Sequence, residues 1–289
     1  MARTKRHVAS WLRAAVTPVL VAVLAVGAGA QQHPRNPRVA YAYPAGGRVG
    51  TEVEITVGGQ ALFGAESAFV SGTGVSARVL GYKRPLTIGE ANNLRERLEE
   101  AYMKITGRPR APGLRFGNVM ALRDAAREAG ITDEQLRALE EFRRLRTDPK
   151  RQPNPQLDET VRLQVSIAPD AGPGMREIRI RSPLGLTNPV RFFVGRLAEV
   201  AEVEPNDRLP DSCIGDTMPV VVNGQITPGD VDRFAFTARK GMRLVVSVAA
   251  REIVPYLADA VPGWFQAVAA VYDSQGKELA YADDFRHNP

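Results

Sequence analysis

The sequence has very few cysteine and histidine residues, on which many hydrolases and metalloenzymes depend. Cys213 is its one cysteine, which excludes an intrachain disulfide and a thiolate metal cluster and favours a buried, inert thiol. The three histidines are His7, His33 and His287. His7 lies in the N-terminal segment that we expect to be removed, and the other two lie near the two ends of the chain. This scarcity argues against a zinc protease, a His-dependent hydrolase or any catalytic triad contained in these residues.

Long apolar runs are also lacking, apart from one near the N-terminus. A basic start with Arg3, Lys5, Arg6 and Arg13 precedes an apolar run over 14–27, and Ala28-Gly29-Ala30 follows it. The run is shorter than the roughly 20 residues that span a bilayer, so the pattern predicts a cleaved signal peptide over 1–30 rather than an anchor. We expect a short disordered lead over 31–36. The mature chain is then exported, to the periplasm, the cell surface or the medium, without a membrane partner.

The net positive charge is small once that N-terminal segment is set aside. The formal charge is +6, and residues 1–30 contain four basic residues and no acid, so the remainder carries +2. This does not favour a nucleic-acid partner. The charge is also divided, because residues 88–151 carry +3 and residues 202–289 carry −5. The Arg-rich stretch at 107–115 suggests a polyanion binder as one reading, but no aromatic residue interleaves with its arginines, so a solvated linker is favoured.

Two groups of short strands are predicted by apolar residues at every second position. Val53, Ile55 and Val57 alternate with polar residues, and the segments 41–47, 68–71 and 75–80 are further short strands. The pattern resumes downstream in the segments 161–167, 178–181 and 190–194. Together these segments predict one β-sandwich over 37–197.

A helical period separates the two groups of strands. Leu94, Leu98 and Ala101 fall on one face of a helix predicted over 90–105, and a second helix is predicted over 116–129. Thr132 and Gln135 form a capping box for a third, which ends at Asp148-Pro149. We therefore expect a helical insertion at about 88–150 in a loop of the sandwich.

The order of turns and strands resembles a known family. The pattern P-x-G-G-x-x-G-T-x-V-x-I-x-V-x-G, followed by G-x-x-x-I-R-I-x-S-P-x-G-x-T-N, is similar to the IPT/TIG immunoglobulin-like domains. The resemblance covers about 37–82 and 156–195 and implies an Ig-like sandwich.

An oxygen-rich stretch follows the first sandwich. Six acidic and amide side chains over 202–216 precede a second acidic turn at 230–232. So many oxygen-bearing side chains close together in the sequence predict either ligation of a hard cation or a structural turn beside a β-sandwich. The side chains concerned are Glu202, Glu204, Asn206, Asp207, Asp211, Asp216, Asp230 and Asp232.

The same stretch carries a second resemblance. E-V-E-P-N-D, V-N-G-Q-I, P-G-D-V-D-R-F-A-F and A-R-K-G occur in order, and they resemble the bacterial pre-peptidase C-terminal (PPC) domain, which is related to the collagen-binding modules of secreted collagenases. Five apolar or alternating runs, at 219–226, 231–238, 243–250, 265–273 and 278–282, predict an antiparallel sandwich over 198–289, and the resemblance implies that it is jelly-roll-like. PPC domains continue through further strands, so we expect this one to be truncated at Pro289.

The PPC resemblance implies a calcium site. Its candidate ligands are Glu202, Glu204, Asn206, Asp207, Asp230 and Asp232. The alternative is structural: Asn206 and Asp207 cap a turn through their own backbone, and the two aspartates lie in a solvated turn before the next strand. Trp264, which follows Pro262-Gly263, is a candidate ligand-binding residue.

The fold class predicted is mainly β: two consecutive antiparallel sandwiches, with an α-helical insertion in the first. We expect a non-catalytic accessory or binding region of a bacterial secreted or surface protein. It would assist attachment, export or maturation, with an extracellular polysaccharide, a protein matrix or further domains of the same chain as partners. The alternative is the N-terminal part of a secreted hydrolase, perhaps a peptidase, whose catalytic domain lies beyond Pro289.

Overall fold

The chain was analysed in a computed structural model that describes residues 36–107, 119–147, 154–203, 214, 218–226, 231–250, 252–253 and 267–283. Over these residues the protein is mainly β, with several antiparallel sheets and three helices. The strands are β1 (Arg38–Tyr43), β2 (Gly46–Arg48), β3 (Glu52–Gln60), β4 (Ser67–Val70), β5 (Val75–Lys83), β6 (Glu159–Ile167), β7 (Gly174–Ser182), β8 (Gly185–Leu186), β9 (Val190–Gly195), β10 (Ala198–Ala201), β11 (Val220–Asn223), β12 (Ala269–Tyr272) and β13 (Glu278–Ala282). The helices are α1 (Ile88–Thr106), α2 (Val119–Glu128) and α3 (Asp133–Thr147).

Four antiparallel strands form sheet 1, in the order β1-β3-β6-β5. The predicted alternation in β3 is confirmed, since Ile55 and Val57 are fully buried while Glu52 and Glu54 face solvent. Ile55 lies opposite Leu163 of β6. Cross-strand pairs of this kind are the unit that stabilises a sheet.

Sheet 2 has the order β2-β9-β7-β4, and β8 pairs with β7. Its pairs are antiparallel except that β2 runs parallel to β9. The prediction that the strands of this region are all antiparallel is therefore wrong at this edge. The reason is that β1 and β2 run in the same direction, and the chain crosses from sheet 1 to sheet 2 between them.

Two glycines make that crossing possible. A Cβ atom on Gly46 would lie 2.6 Å from the carbonyl oxygen of Phe193, and one on Gly47 would lie 2.7 Å from Cδ1 of Ile167. The crossing is also held from the other side, because the Asn188 amide accepts from the Val39 N–H (3.0 Å) and donates to the Val39 carbonyl (2.9 Å). The G-x-T-N motif thus fastens the first strand.

One hydrophobic core lies between the two sheets. Sheet 1 contributes Ile55 and Leu163, sheet 2 contributes Ile178 and Phe192, and all four are fully buried. Each such side chain stabilises the fold by about 1.5–3 kcal/mol relative to exposure. Thr187 is buried with them, and its hydroxyl accepts a hydrogen bond from the Ile180 N–H at 3.0 Å.

The predicted helical insertion is present between β5 and β6. The three helices pack around their own apolar cluster, which includes Leu94, Leu98, Leu122 and Leu139 and is separate from the core between the sheets. The capping box predicted for the third helix is present, because Thr132 and Gln135 each accept from the other's backbone N–H, and α1 has a capping box of its own between Thr87 and Glu90. The insertion is thus a helical unit with a core of its own.

The ends of this unit return to neighbouring positions. Lys83 at the end of β5 lies opposite Thr160 of β6 in antiparallel register. The Lys83 ammonium contacts Glu141 of α3 at 2.7 Å, an ion pair between exposed side chains. The helical unit therefore occupies the place of a hairpin loop in sheet 1.

The C-terminal strands differ from the prediction in two ways. β10 and β11 pair in parallel, whereas β12 and β13 form the expected antiparallel pair. The runs at 231–238 and 243–250 were predicted as strands and are not, apart from a single bridge at Ala235. Within the described residues of this segment no strand lies beside 243–250, and Val245 is 75% exposed. Apolar alternation alone does not make a strand without a neighbour to complete its hydrogen bonds.

Candidate functional site

Two of the six predicted calcium ligands lie within the described residues. They are Glu202 and Asp232, both partly buried. Glu204, Asn206, Asp207 and Asp230 lie outside the described residues, and so does Trp264. These two acids are the first and the last of the predicted set.

Glu202 is positioned by the parallel pair of β10 and β11. Val200 pairs with Val222 and Ala201 with Asn223, and the Glu202 N–H donates to the Asn223 carbonyl at 2.9 Å. The ladder thus carries Glu202 to the turn that begins at Asn223. We call residues 198–203 and 220–226, together with Asp232, the acidic joint.

The two acids converge over Gly224. A Cβ atom on Gly224 would lie 2.7 Å from Oδ2 of Asp232 and 3.0 Å from Oε2 of Glu202. The other oxygen of Glu202, Oε1, accepts a hydrogen bond from the Gln225 N–H at 2.6 Å. Because Gly224 has no side chain, both carboxylates approach the same turn.

The acidic joint is tied to the first strand of sheet 1. The Tyr43 hydroxyl donates to the Asn223 carbonyl at 3.2 Å and lies 3.5 Å from Oε1 of Glu202. Tyr43 is the last residue of β1, so one side chain links the two-sheet core to the turn that carries the acids.

A third acid lies on the inner side of the joint. Asn223 Nδ2 donates to Oε2 of Glu199 at 2.9 Å, and Glu199 lies against Gly46 of β2. Burial raises the pKa of Glu199 above its ordinary value, and the hydrogen bond from Asn223 opposes that rise. Glu199 therefore packs the joint against sheet 2, where a charged carboxylate is disfavoured.

This arrangement provides hard oxygen donors. Calcium takes six to eight oxygens from carboxylates, carbonyls and amides at flexible geometry. Glu202 and Asp232 are such donors, and their convergence over Gly224 fits a cation of this type. Among the described residues, however, no three acidic, histidine or cysteine side chains come close enough together to hold a metal ion. The pair would need further oxygens from the segments that carry the other four candidates.

Another carboxylate, that of Glu159, holds the turn after β3. Glu159 accepts from the Ala61 N–H at 2.9 Å, from the Leu62 N–H at 2.7 Å and from the Tyr82 hydroxyl at 2.9 Å. Ala61 has φ of 57°, a left-handed conformation that is strained for a residue with a side chain. Burial and the Glu159 carboxylate raise the pKa of Tyr82. Glu159 uses its oxygens to fix the backbone, so we assign it a structural role.

Sequence reasoning found the acidic stretch but missed the residues that organise it. β11 ends at Asn223, and nothing in the sequence indicates that two distant acids meet over the Gly224 that follows it. Tyr43 and Glu199 were not predicted, because their roles depend on which strands pair. The parallel register of β10 and β11 is the missing information.

No protein-family model matches the chain, and no curated protein is significantly similar to it. The two resemblances described above therefore rest on their motifs. In the part of the chain that the structure describes, none of the helices has the length and apolarity needed to cross a membrane.

Proposed function

We propose that this chain is an exported, non-catalytic region that attaches a bacterial secreted or surface protein to extracellular material. In this proposal an Ig-like sandwich with a helical insertion is joined through the acidic joint to a PPC-like module. The joint binds calcium and orients the two modules. The function is binding and scaffolding, without a reaction of its own.

The observation that carries the proposal is the construction of the acidic joint. Two acids that the PPC resemblance names as ligands, Glu202 and Asp232, approach one glycine although they are far apart in the sequence. Tyr43 connects the same turn to β1. The joint is thus built from residues of both parts of the chain, as a device that holds two modules requires.

The strand arrangement supports the Ig-like part of the proposal. Sheet 1 pairs β1 with β3, while the following strand β2 joins sheet 2 beside β9. A first strand that is divided between two facing sheets, with the core between them, is compatible with an Ig-like sandwich. The helical unit then replaces the loop between β5 and β6.

The acids also support calcium over a softer metal. Carboxylate and carbonyl oxygens suit calcium or magnesium, whereas the scarcity of cysteine and histidine does not suit zinc or copper. Calcium would neutralise the carboxylates of Glu202 and Asp232. It would stabilise the joint by restricting the segments on either side of Gly224.

A calorimetric titration with calcium tests this proposal. The purified protein should take up calcium, and its melting temperature should rise with calcium and fall in chelator. At a calcium concentration 100-fold above Kd the expected stabilisation is about 2.7 kcal/mol. Asp232→Asn should weaken calcium binding about tenfold or more, because it removes one charged ligand.

The matched control is Glu66→Gln, which removes an exposed carboxylate of the first sandwich and should leave calcium binding unchanged.

Export is tested by N-terminal sequencing of the protein secreted from a bacterial host, which should begin at Gln31. If the purified protein shows no heat of calcium binding and the same melting temperature in chelator, the calcium-holding joint is wrong. If it turns over a substrate unaided, the non-catalytic role is wrong.

A further inference from the structure

The outer faces of the two sheets have different chemistry. On sheet 1 the polar side chains satisfy one another across the strands: Arg162 contacts Glu54 at 2.8 Å, and Gln164 and Ser166 both donate to Glu52. Arg78 donates to Gln164 in the same network. Two arginines face two glutamates, and none of the large exposed apolar side chains lies on this face. The outer face of sheet 1 is therefore polar and suited to contact with water.

The outer face of sheet 2 differs, because large apolar side chains are exposed on it. The residue pairing and the burial alternation of β4, β7, β8 and β9 place one set of side chains on the outside. Three of them are large, apolar and half exposed: Phe69 at 51%, Met175 at 46% and Leu186 at 51%. The face consists of Phe69, Met175, Glu177, Arg179, Arg181, Leu186, Arg191 and Phe193.

Cations are in excess on this face. It carries three arginines and one acid, Glu177, which lies 3.5 Å from Arg179. Arg191 is directed to the Glu252 carbonyl at 2.8 Å, a neutral partner. The guanidinium of Arg181 makes no hydrogen bond or ion pair with the described residues, and Arg181 lies between Ser67 and Leu186 in the sheet. The arginine charge of the outer face is therefore only partly compensated.

Aromatic and cationic groups are adjacent on it. Phe69 of β4 is directly opposite Arg179 of β7, and Arg181 follows on the same side of β7, about 7 Å further along the strand. Guanidinium groups pair with carboxylate or sulfate in bidentate fashion, and an exposed ring beside them supplies an apolar contact. These apolar and cationic groups lie side by side on the outer face of the sheet.

We propose that the outer face of sheet 2 binds an anionic polysaccharide, with Arg179 and Arg181 pairing its acidic groups and Phe69 packing against its sugar rings. The outer face of a sheet suits an extended polymer, which can contact several strands at once. The charge of the face, three arginines to one glutamate, selects acidic over neutral sugars. The inference rests on the proposed role in attachment and names a ligand class for it.

The test measures binding of the purified protein to heparin and to polygalacturonate, with dextran as the neutral sugar. Both acidic polymers should be bound and dextran should not, and the affinity should fall as salt is raised. The double variant R179A/R181A should weaken binding about tenfold, since each of the two exposed ion pairs lost costs about threefold. Phe69→Ala should weaken it several-fold with an unchanged salt dependence.

Matched controls separate this face from charge in general. R78A/R162A removes the same charge from the outer face of sheet 1 and should change the affinity less than twofold. Phe63→Ala removes a ring that is more exposed, at 70%, and that lies in the turn after β3. This variant should not change the affinity. Circular dichroism melts should be alike for all variants, because each of these side chains is at the surface.

The inference is overturned if neither acidic polymer binds, or if both double variants weaken binding equally. It is also overturned if poly-L-glutamate binds as tightly as the polysaccharides and responds to the same variants, since the face would then recognise acidic polypeptide. In any of these cases a protein that is exported and takes up calcium would leave the proposed function standing.

Discussion

The Asn188 amide offers the sharpest test of how the first strand is held. Val39 is fully buried, and both of its backbone groups bond to Asn188: the N–H at 3.0 Å and the carbonyl at 2.9 Å. The β1–β3 ladder shifts register between Val39 and Tyr41. Asn188→Ala would leave a buried donor and a buried acceptor without this partner, and each such loss costs about 1–3 kcal/mol.

The expected destabilisation is therefore about 2–4 kcal/mol, with some of the loss recovered where water enters. Denaturation in urea, followed by far-ultraviolet circular dichroism, should show the midpoint moving down with little change in slope. Hydrogen exchange at the Val39 amide should become faster. Asn93→Ala on the exposed side of α1 is the control and should change stability by less than about 0.5 kcal/mol.

A change within 0.5 kcal/mol of wild type for Asn188→Ala, with the Val39 amide still protected, would refute the reasoning. It would mean that β1 is held by its pairing with β3 alone. A large loss in the Asn93 control would instead show that the assay does not isolate buried hydrogen bonds.

Three further predictions concern the crossing between the two sheets and two titratable groups. Gly46→Ala should destabilise the protein by about 1–3 kcal/mol, measured by thermal melting, because the new Cβ meets a backbone carbonyl that has no room to move. Glu199→Gln should raise the melting temperature at pH 7 but not at pH 4: the folded pKa of Glu199 lies above the ordinary 4.5, so ionisation weakens folding as pH rises through this range. Arg84 and Thr87 lower the pKa of Glu90 to about 2, so the stability that this pair gives to α1 should be present above pH 4.5 and lost as pH falls towards 2. Helical circular dichroism of Glu90→Gln should lack that acid dependence, and a wild-type signal that is flat between pH 5 and 2 would contradict the assignment.

The elements of the two-sheet core were predictable because each strand has one buried face. Ile55, Leu163 and Ile178 lie at positions where alternate residues must be apolar, and the capping box at Thr132 marks a helix start from local chemistry alone. What could not be predicted is the division of the first strand between two sheets. That depends on the fit of Gly46 and Gly47 against β9 and the core, which no local pattern contains.

The C-terminal runs show the limit of the same reasoning. The runs at 231–238 and 243–250 are rich in apolar residues, as β11 is, yet β11 has β10 as a neighbour and these runs have no strand beside them among the described residues. Alternation reports that one side of a segment is apolar. It does not report whether a partner strand is in place.

The acidic joint was located from composition, but its geometry was not. Glu202 and Asp232 belong to separate motifs, and only the parallel pairing of β10 with β11 brings the Asn223-Gly224 turn to Glu202. The outer face of sheet 2 was missed for a similar reason. Phe69 and Arg179 become neighbours through the register of β4 with β7, which the sequence does not specify.

Hydrogen exchange at the joint, measured with and without calcium, tests the central claim most directly. The amides of Glu202 and Gln225 donate to the Asn223 carbonyl and to the Glu202 carboxylate, so their exchange reports whether the turn is held. If the acidic joint binds calcium and fixes the two parts of the chain, exchange at both amides should slow at least tenfold when calcium is added, and Asp232→Asn should remove the effect. Unchanged exchange at both amides, with calcium far above the concentrations of protein and competing metal, would contradict the account.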